Sequence, residues 1–219
     1  NGCSKLTKAP KIMAEELDRM CFANMFSDCV SLIESPQLPA TSLATNCYCG
    51  MFGGCTALSV PPALPATTLA ANCYYRMFED CTALSAAPVL PATTLSPYCY
   101  NMMFGGCVSL TEIPELTATE LAESCYESMF RGCTGLTKVT IPKIPVVSRC
   151  YNRMFLNCAN LSDVTVKVEK YDTGLYPFTE WLEGAASQGT IHIRAGLDKT
   201  QKKCLYYPDG WTVLEDVVD

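Results

Sequence analysis

Histidine is nearly absent from this sequence, which has a single copy, His192, among 219 residues. A Ser–His or Cys–His nucleophilic pair would have to use that residue. A zinc site built from several histidines cannot be assembled. His192 lies between Ile191 and Ile193 in a predicted strand, where the alternation favours an outward-pointing residue of no catalytic role. The sequence therefore predicts a protein that is not an enzyme, with no catalytic residue, cofactor or metal site.

Charge and long apolar runs are also scarce. Charged residues make up 17% of the chain and the formal net charge is −6, with no basic stripe for a phosphate backbone, so nucleic acid is not an expected partner. No apolar run reaches the roughly 18 residues that a membrane-spanning helix needs. The hydrophobic content of 49% nevertheless predicts a folded, globular chain.

Cysteine, in contrast, is abundant, with 15 copies, of which 13 fall into two columns spaced by 25 or 26 residues. The first column is Cys21, Cys47, Cys73, Cys99, Cys125 and Cys150. The second column is Cys29, Cys55, Cys81, Cys107, Cys133 and Cys158, with Cys3 in the same register. A Met-Phe pair stands between the columns, and a leucine follows the second cysteine by three residues. These features predict a tandem-repeat solenoid with units of about 26 residues.

The repeat unit suggests a short helix followed by an extended segment. In the third unit Leu69, Cys73, Met77 and Cys81 are spaced four apart, which is the spacing of one buried helix face. Before the second cysteine stands a column of residues that tolerate a left-handed backbone, which we expect to end each helix. Its members are Asp28, Gly54, Asp80, Gly106, Gly132 and Asn157.

The extended segments should stack in parallel, about 4.8 Å apart. Pro36, Pro62, Pro88 and Pro114 lie within them, so short or interrupted strands are expected there. Residues 139–141 and 164–166 lack this proline and predict better strands. We predict an α/β fold: a solenoid at residues 1–166 that begins mid-repeat, and a C-terminal cap with β-structure at residues 167–219. In the cap, residues 179–186 suggest a helix, and residues 190–193 and 211–214 suggest two strands.

The cysteines allow two interpretations. Two cysteines eight apart on a helix are about 12 Å from each other, too far for a disulfide or a shared metal. Equivalent cysteines of adjacent units would be about 5 Å apart, so a disulfide between units is geometrically allowed. We favour reduced, buried ladders, because a buried free cysteine behaves as a small hydrophobic residue. Cys49 and Cys204 stand outside both columns and are the better candidates for reactive thiols.

Residues 51–58, Met-Phe-Gly-Gly-Cys-Thr-Ala-Leu, resemble the core of BspA-like leucine-rich repeats, and residues 132–142 resemble it over a longer run. Residues 181–186 and 208–213 are similar to the terminal segment of such proteins. The resemblance implies a right-handed leucine-rich-repeat solenoid and a bacterial cell-surface or extracellular protein. It also implies frequent lipid attachment upstream and adhesion to host or microbial protein or glycan ligands. The alternative is a structural spacer that presents an upstream domain.

Variable positions of the extended segments are the candidate ligand face, since solenoids commonly bind partners along one face. One column reads Glu34, Val60, Ala86, Glu112 and Lys138, and the other reads Gln37, Ala63, Val89 and Glu115. An aromatic column also runs beside the first cysteines, at Phe22, Tyr48, Tyr74, Tyr100, Tyr126 and Tyr151. We interpret it as core packing, with a contact surface as the alternative.

Overall fold

The computed structural model describes residues 2–170, 172–197 and 205–217. In these residues four strands form one parallel sheet in chain order. They are β1 (Lys138–Ile141), β2 (Asp163–Val166), β3 (Gly189–Arg194) and β4 (Trp211–Val217). Val164 of β2 lies in register with Val139 on one side and with Ile191 on the other. Parallel strands in chain order mean that the chain returns to the same edge after every coil, which is the path of a solenoid.

Each coil also contains nine residues of successive tight turns, which we name its turn segment. The turn segments of coils 1 to 7 are residues 20–28, 46–54, 72–80, 98–106, 124–132, 149–157 and 176–184. In coil 2, the N–H of Met51 donates to the carbonyl of Tyr48 three residues earlier, at 3.2 Å. The next N–H, of Phe52, instead donates to the carbonyl of Met77 in coil 3, at 2.9 Å. Backbone donors therefore alternate between a turn within the coil and a bond to the next coil.

The predicted short helix is wrong. The 3₁₀ helix Thr173–Leu175 is the only helix in the described residues. The predicted α/β class is therefore wrong in its helical part. Every fourth residue of a turn segment has a positive φ, as at Asn46 (58°), Gly50 (59°) and Gly54 (72°), and an α-helix cannot include such residues regularly. The buried residues also recur every four positions. That spacing is shared with a helix, which explains the wrong prediction.

The column that was expected to adopt a left-handed backbone does so. Its φ angles are 59° at Asp28, 72° at Gly54 and 59° at Asp80, and Gly106, Gly132 and Asn157 are positive as well. These residues close the last turn of each turn segment and do not end a helix.

The extended segments behave as the prolines predicted. In coils 1 to 4 the described residues form no strand, and their extended segments keep one isolated parallel bridge, between Lys8 and Glu34. From coil 5 onward, where the proline is lost, β1 and β2 form, and β3 and β4 confirm the two predicted closing strands. The helix suggested at residues 179–186 is wrong, because these residues mostly belong to the turn segment of coil 7.

The core lies between the turn segments and the extended segments. Two continuous stacks of aromatic rings run through it. The first extends from Phe22 to Phe178 with ring centroids 5.3–5.9 Å apart. The second extends from Phe26 to Trp181 with centroids 5.5–6.0 Å apart. A fully buried ring contributes about 1.5–3 kcal/mol by burial, and each ring pair adds about 0.5–1.5 kcal/mol.

The stacking continues across the predicted boundary between residues 166 and 167. Phe178 stacks on Tyr151, with ring centroids 5.3 Å apart, and β3 pairs with β2. Two indole groups then tie the last coils together. Trp181 donates its Nε1–H to the carbonyl of Tyr206 at 2.6 Å, and Trp211 donates to the carbonyl of Ala186 at 2.7 Å. The division into a solenoid and a cap stays a prediction.

Candidate binding surfaces

The predicted ligand face lies at the surface of the extended segments. All nine of its residues are exposed. Its first column continues into the sheet, because Lys138 begins β1 and lies in register with Asp163 of β2. Its second column, Gln37 to Glu115, runs beside it. The structure thus places all nine residues on the exposed surface of the extended segments. Their role in binding stays a prediction.

The middle of this face is apolar. Val89 is 77% exposed and lines a shallow cleft of about 410 Å³; Val60, 67% exposed, directly precedes the lining residue Pro61 and is counted with this surface. Its lining consists of Pro61, Pro62, Ala63, Leu64, Pro65, Pro88, Val89 and Pro91. Prolines fix φ and have no N–H, so this surface is rigid and offers carbonyl acceptors and apolar area. We name it the proline–valine patch.

The ends of the face are charged and paired across coils. Lys8 Nζ lies 2.6 Å from Glu34 Oε2, and Lys138 Nζ lies 3.1 Å from Asp163 Oδ2. Lys8, Glu34 and Lys138 are well exposed and Asp163 is partly exposed, and exposed ion pairs contribute at most about 1 kcal/mol. They therefore set the charge of the rim more than the stability of the fold.

The single histidine is held between two carboxylates on the outer face of the sheet. His192 Nδ1 lies 2.9 Å from Asp216 Oδ2 of β4, and its Nε2 lies 3.7 Å from Asp163 Oδ1 of β2. In a catalytic triad one ring nitrogen faces a carboxylate and the other faces the nucleophile. Here both nitrogens face carboxylates: the contact with Asp216 links β3 to β4, while Asp163 of β2 lies beyond hydrogen-bond distance. Across the described ranges, no group of three histidine, cysteine or acidic side chains is placed to hold a metal ion.

Eleven of the twelve ladder cysteines are buried, and Cys21, at the first coil, is exposed. Cys21 belongs to the first turn segment of this sequence and is exposed here, unlike its equivalents in the later coils. The fourteen cysteines among the described residues carry free thiols. Burial raises the pKa of Cys47, Cys55, Cys150 and Cys158 to about 12, which makes these thiols poor nucleophiles at neutral pH.

Two further cysteines were singled out as reactive. Cys49 is partly buried; burial raises its pKa, while the nearby Arg76 guanidinium lowers it. Cys204 lies outside the described residues. The structure thus places Cys3 and Cys21, which are exposed, ahead of Cys49 in accessibility.

The aromatic column is core. The exposed fractions of Tyr48, Tyr74, Tyr100, Tyr126 and Tyr151 do not exceed 2%, and their rings stack in near-parallel pairs. This confirms the packing interpretation over a contact surface.

Sequence reasoning missed a second surface, formed by the outer side of the turn segments. Clefts of about 310, 360 and 760 Å³ open on it. Glycines leave the two smaller clefts open: Gly50, Gly53 and Gly54 line one, and Gly105, Gly106 and Gly132 line the other. The available signal was the four-residue spacing of Asn46, Gly50 and Gly54, which marks left-handed positions; the residues at these positions and just before them line the clefts.

In this protein the coils are stacked, and each adds a leucine to a common core and an extended segment to a parallel array. These features define the class of leucine-rich-repeat solenoids. The chain belongs to the BspA-type leucine-rich repeat family, whose model matches six copies over residues 77–207. Repeats of this family are generally non-enzymatic and are typically surface adhesion-type protein-binding modules. Neither a curated protein nor a solved structure matches the chain. No helix within the described residues has the length and apolarity to cross a membrane.

Proposed function

We propose that this chain is a non-enzymatic protein of the bacterial surface or exterior that binds a partner protein through the proline–valine patch. The supporting observation is the exposure of Val89, at 77%, in a cleft lined mostly by prolines, with Val60, 67% exposed, next to its lining residue Pro61. Contiguous exposed apolar area on a folded protein marks a protein interaction site. Because prolines already restrict the backbone, little conformational entropy is lost when a partner binds.

The test uses the full chain and two variants. The first is the double variant Val60→Glu/Val89→Glu, which places two carboxylates on the patch. The matched control is Val108→Glu, a partly exposed valine that neither lines the cleft nor adjoins a lining residue in the chain. Binding to immobilised host matrix proteins would be measured by surface plasmon resonance. We expect the double variant to weaken binding at least about tenfold, and the control to bind as the parent does.

Two outcomes would overturn the proposal. One is that the parent chain binds none of the matrix proteins. The other is that Val108→Glu weakens binding as much as the double variant does, since the effect would then come from net charge and not from the patch. Surface labelling of intact cells, with fractionated cells as the control, would independently test whether the protein lies at the cell surface.

A structural spacer is the second candidate function. The observation that favours it is the unbroken pair of aromatic stacks from coil 1 to coil 7, which gives a stiff rod. In that case the patch variants would leave adhesion of intact cells unchanged, whereas deletion of two whole coils would reduce it.

A further inference from the structure

The 760 Å³ cleft on the turn segments spans coils 3 to 7. It is formed by side chains from five successive coils, which are spaced by 5.3–5.8 Å at the neighbouring aromatic stack. Its walls include Tyr75, Tyr98 and Met102 from coils 3 and 4, and Arg149 and Arg153 from coil 6. We name it the turn-face groove. It lies on different segments of the coil from the proline–valine patch and is independent of it.

The groove is lined by large side chains at backbone positions that disfavour them. Tyr98, Met102, Arg149 and Arg153 have φ angles of 57°, 55°, 54° and 54°. The same positions in coil 2 carry Asn46 and Gly50, which adopt this conformation at lower cost. Strained residues that persist tend to cluster at binding sites. Met20 in coil 1 and Arg76 in coil 3 have similar angles outside the groove, so backbone strain accompanies the groove residues and does not by itself mark the groove.

The charges of the groove balance. Three guanidinium groups face three carboxylates; they belong to Arg131, Arg149, Arg153, Glu127, Glu180 and Glu183. Arg153 Nε lies 2.6 Å from Glu180 Oε2, and Glu180, Glu127 and Glu183 all raise the pKa of Arg153. A polyanion would be repelled by the glutamates and a polycation by the arginines. The groove therefore suits a ligand without net charge.

Hydrogen-bonding capacity and aromatic area narrow the ligand class. Arginine only donates and carboxylate only accepts, so the groove offers both functions at once. Asn101 and Ser128 add polar side chains to its lining and are only 6% and 7% exposed. Sugar hydroxyl groups donate and accept together, and the C–H face of a pyranose packs against aromatic rings such as those of Tyr75 and Tyr98. We propose that the turn-face groove binds a neutral oligosaccharide of several units.

The test uses substitutions that relieve the backbone strain at a positive φ and, at the same time, remove a large side chain from the turn-face groove. Tyr98→Asn and Arg149→Asn each install a residue that the same column already carries at Asn46 and Asn72. Both variants should fold and be at least as stable as the parent, because asparagine adopts a positive φ readily. The matched control is Met20→Asn, at the same position of coil 1 (φ 59°) and outside the groove.

Binding of neutral tetrasaccharides made of glucose, xylose, mannose, galactose or N-acetylglucosamine would be measured by titration calorimetry. Tetragalacturonate and a hexaglutamate peptide would serve as charged comparators. We expect at least one neutral tetrasaccharide to bind with an affinity insensitive to salt. Tyr98→Asn and Arg149→Asn should each weaken it about tenfold, and Met20→Asn should not.

Three results would overturn the assignment. The first is that no neutral tetrasaccharide binds the parent chain. The second is that only a charged comparator binds, with an affinity that falls as salt rises, which would point to an acidic peptide or acidic glycan. The third is an equal loss of affinity in Met20→Asn, since the effect would then come from the backbone and not from the groove.

Discussion

The thiol of Cys107 donates a hydrogen bond of 3.1 Å to the carbonyl oxygen of Phe78, one coil earlier. That oxygen also accepts the N–H of Cys81, at 3.1 Å. The same thiol bond recurs at Cys55, Cys81, Cys133 and Cys158. The second cysteine column therefore joins consecutive coils through the weak donor of a small, otherwise apolar side chain.

Replacing Cys107 tests this bond. Cys107→Ala removes the donor and leaves a small cavity, so we expect the free energy of unfolding to fall by about 1–3 kcal/mol. Cys107→Ser keeps a donor and should cost less than alanine does. Urea unfolding followed by circular dichroism would measure both. If serine proved the more destabilising substitution, apolar packing and not the hydrogen bond would be the main role of the thiol.

The buried thiols predict a loss of stability at high pH. Burial raises the pKa of Cys47, Cys55, Cys150 and Cys158 to about 12 and raises those of the other buried ladder thiols of coils 3 to 5 as well. In the unfolded chain a thiol ionises near pH 8.5. Above that pH the unfolded state releases protons that the folded state retains, so stability is full below about pH 8.5 and falls as the pH rises toward the folded pKa values.

Each such thiol lowers the free energy of unfolding by about 1.4 kcal/mol per pH unit. Because many thiols act together, we expect unfolding within roughly one or two pH units above the onset. Circular dichroism during a titration from neutral pH would record the midpoint. A fold that persists with unchanged stability well above pH 10 would contradict this prediction.

Alkylation should separate the cysteines into groups. In the native protein at neutral pH, iodoacetamide should modify Cys3 and Cys21 first, because they are exposed. Cys49 should react more slowly, since burial covers it and raises its pKa. The buried ladder thiols should react only after denaturation. Peptide mass spectrometry would assign the sites. Ladder thiols that stay unmodified in denaturant without reductant would show that disulfides exist between coils.

Replacing Tyr151 with phenylalanine should not destabilise the protein. The Tyr151 hydroxyl is buried and has no hydrogen-bond partner among the described residues, while Phe178 occupies the next position of the same ring column. We expect Tyr151→Phe to leave the free energy of unfolding unchanged or to raise it by about 1–2 kcal/mol. Thermal unfolding would measure the change. A loss of more than about 1 kcal/mol would show that the hydroxyl is satisfied in solution.

Gly54 and Asp28 should be energetically coupled. A Cβ at Gly54 would lie 2.5 Å from Asp28 Oδ1, and the φ of Gly54 is 72°. Gly54→Ala should therefore cost about 1–3 kcal/mol. Adding Asp28→Ala should recover the steric part of that cost and leave the backbone part. The control is Gly196→Ala, where φ is 82° and nothing lies within 4 Å. Additive effects in the double-mutant cycle would contradict the coupling.

The sequence allowed the period, the parallel stacking and the interrupted strands to be predicted, because each depends on a local property. Pro62 and Pro88 cannot donate to a ladder, and the alternating valines of residues 164–168 need no tertiary context. The identity of the turn segments could not be derived from spacing. Cys47, Met51 and Cys55 recur every four residues. Both a helix and a series of tight turns that repeats every four residues bury such a set on one side.

The proline–valine patch and the turn-face groove also differ in how far the sequence predicts them. Residues of the proline–valine patch were predictable, because alternation in an extended segment fixes which side chains point outward. The turn-face groove was not, because Tyr98 and Arg149 are separated by 51 positions in the chain and meet only through the stacking of coils. Their left-handed backbone, which residue type alone does not predict for tyrosine or arginine, is what turns these side chains outward.

The alternation of backbone hydrogen bonds in the turn segments has a mechanical consequence. Bonds such as Phe52 N–H to Met77 O point from one coil to the next, so a pulling force along the stack would load them directly and open one coil at a time from an end. A closed coil advances the stack by 5.3–6.0 Å along the rings, whereas its 26 residues span about 90 Å when fully extended. Under tension each coil that opens would therefore become more than ten times longer than it is in the folded stack. The protein would absorb work in this way while its remaining coils stay folded.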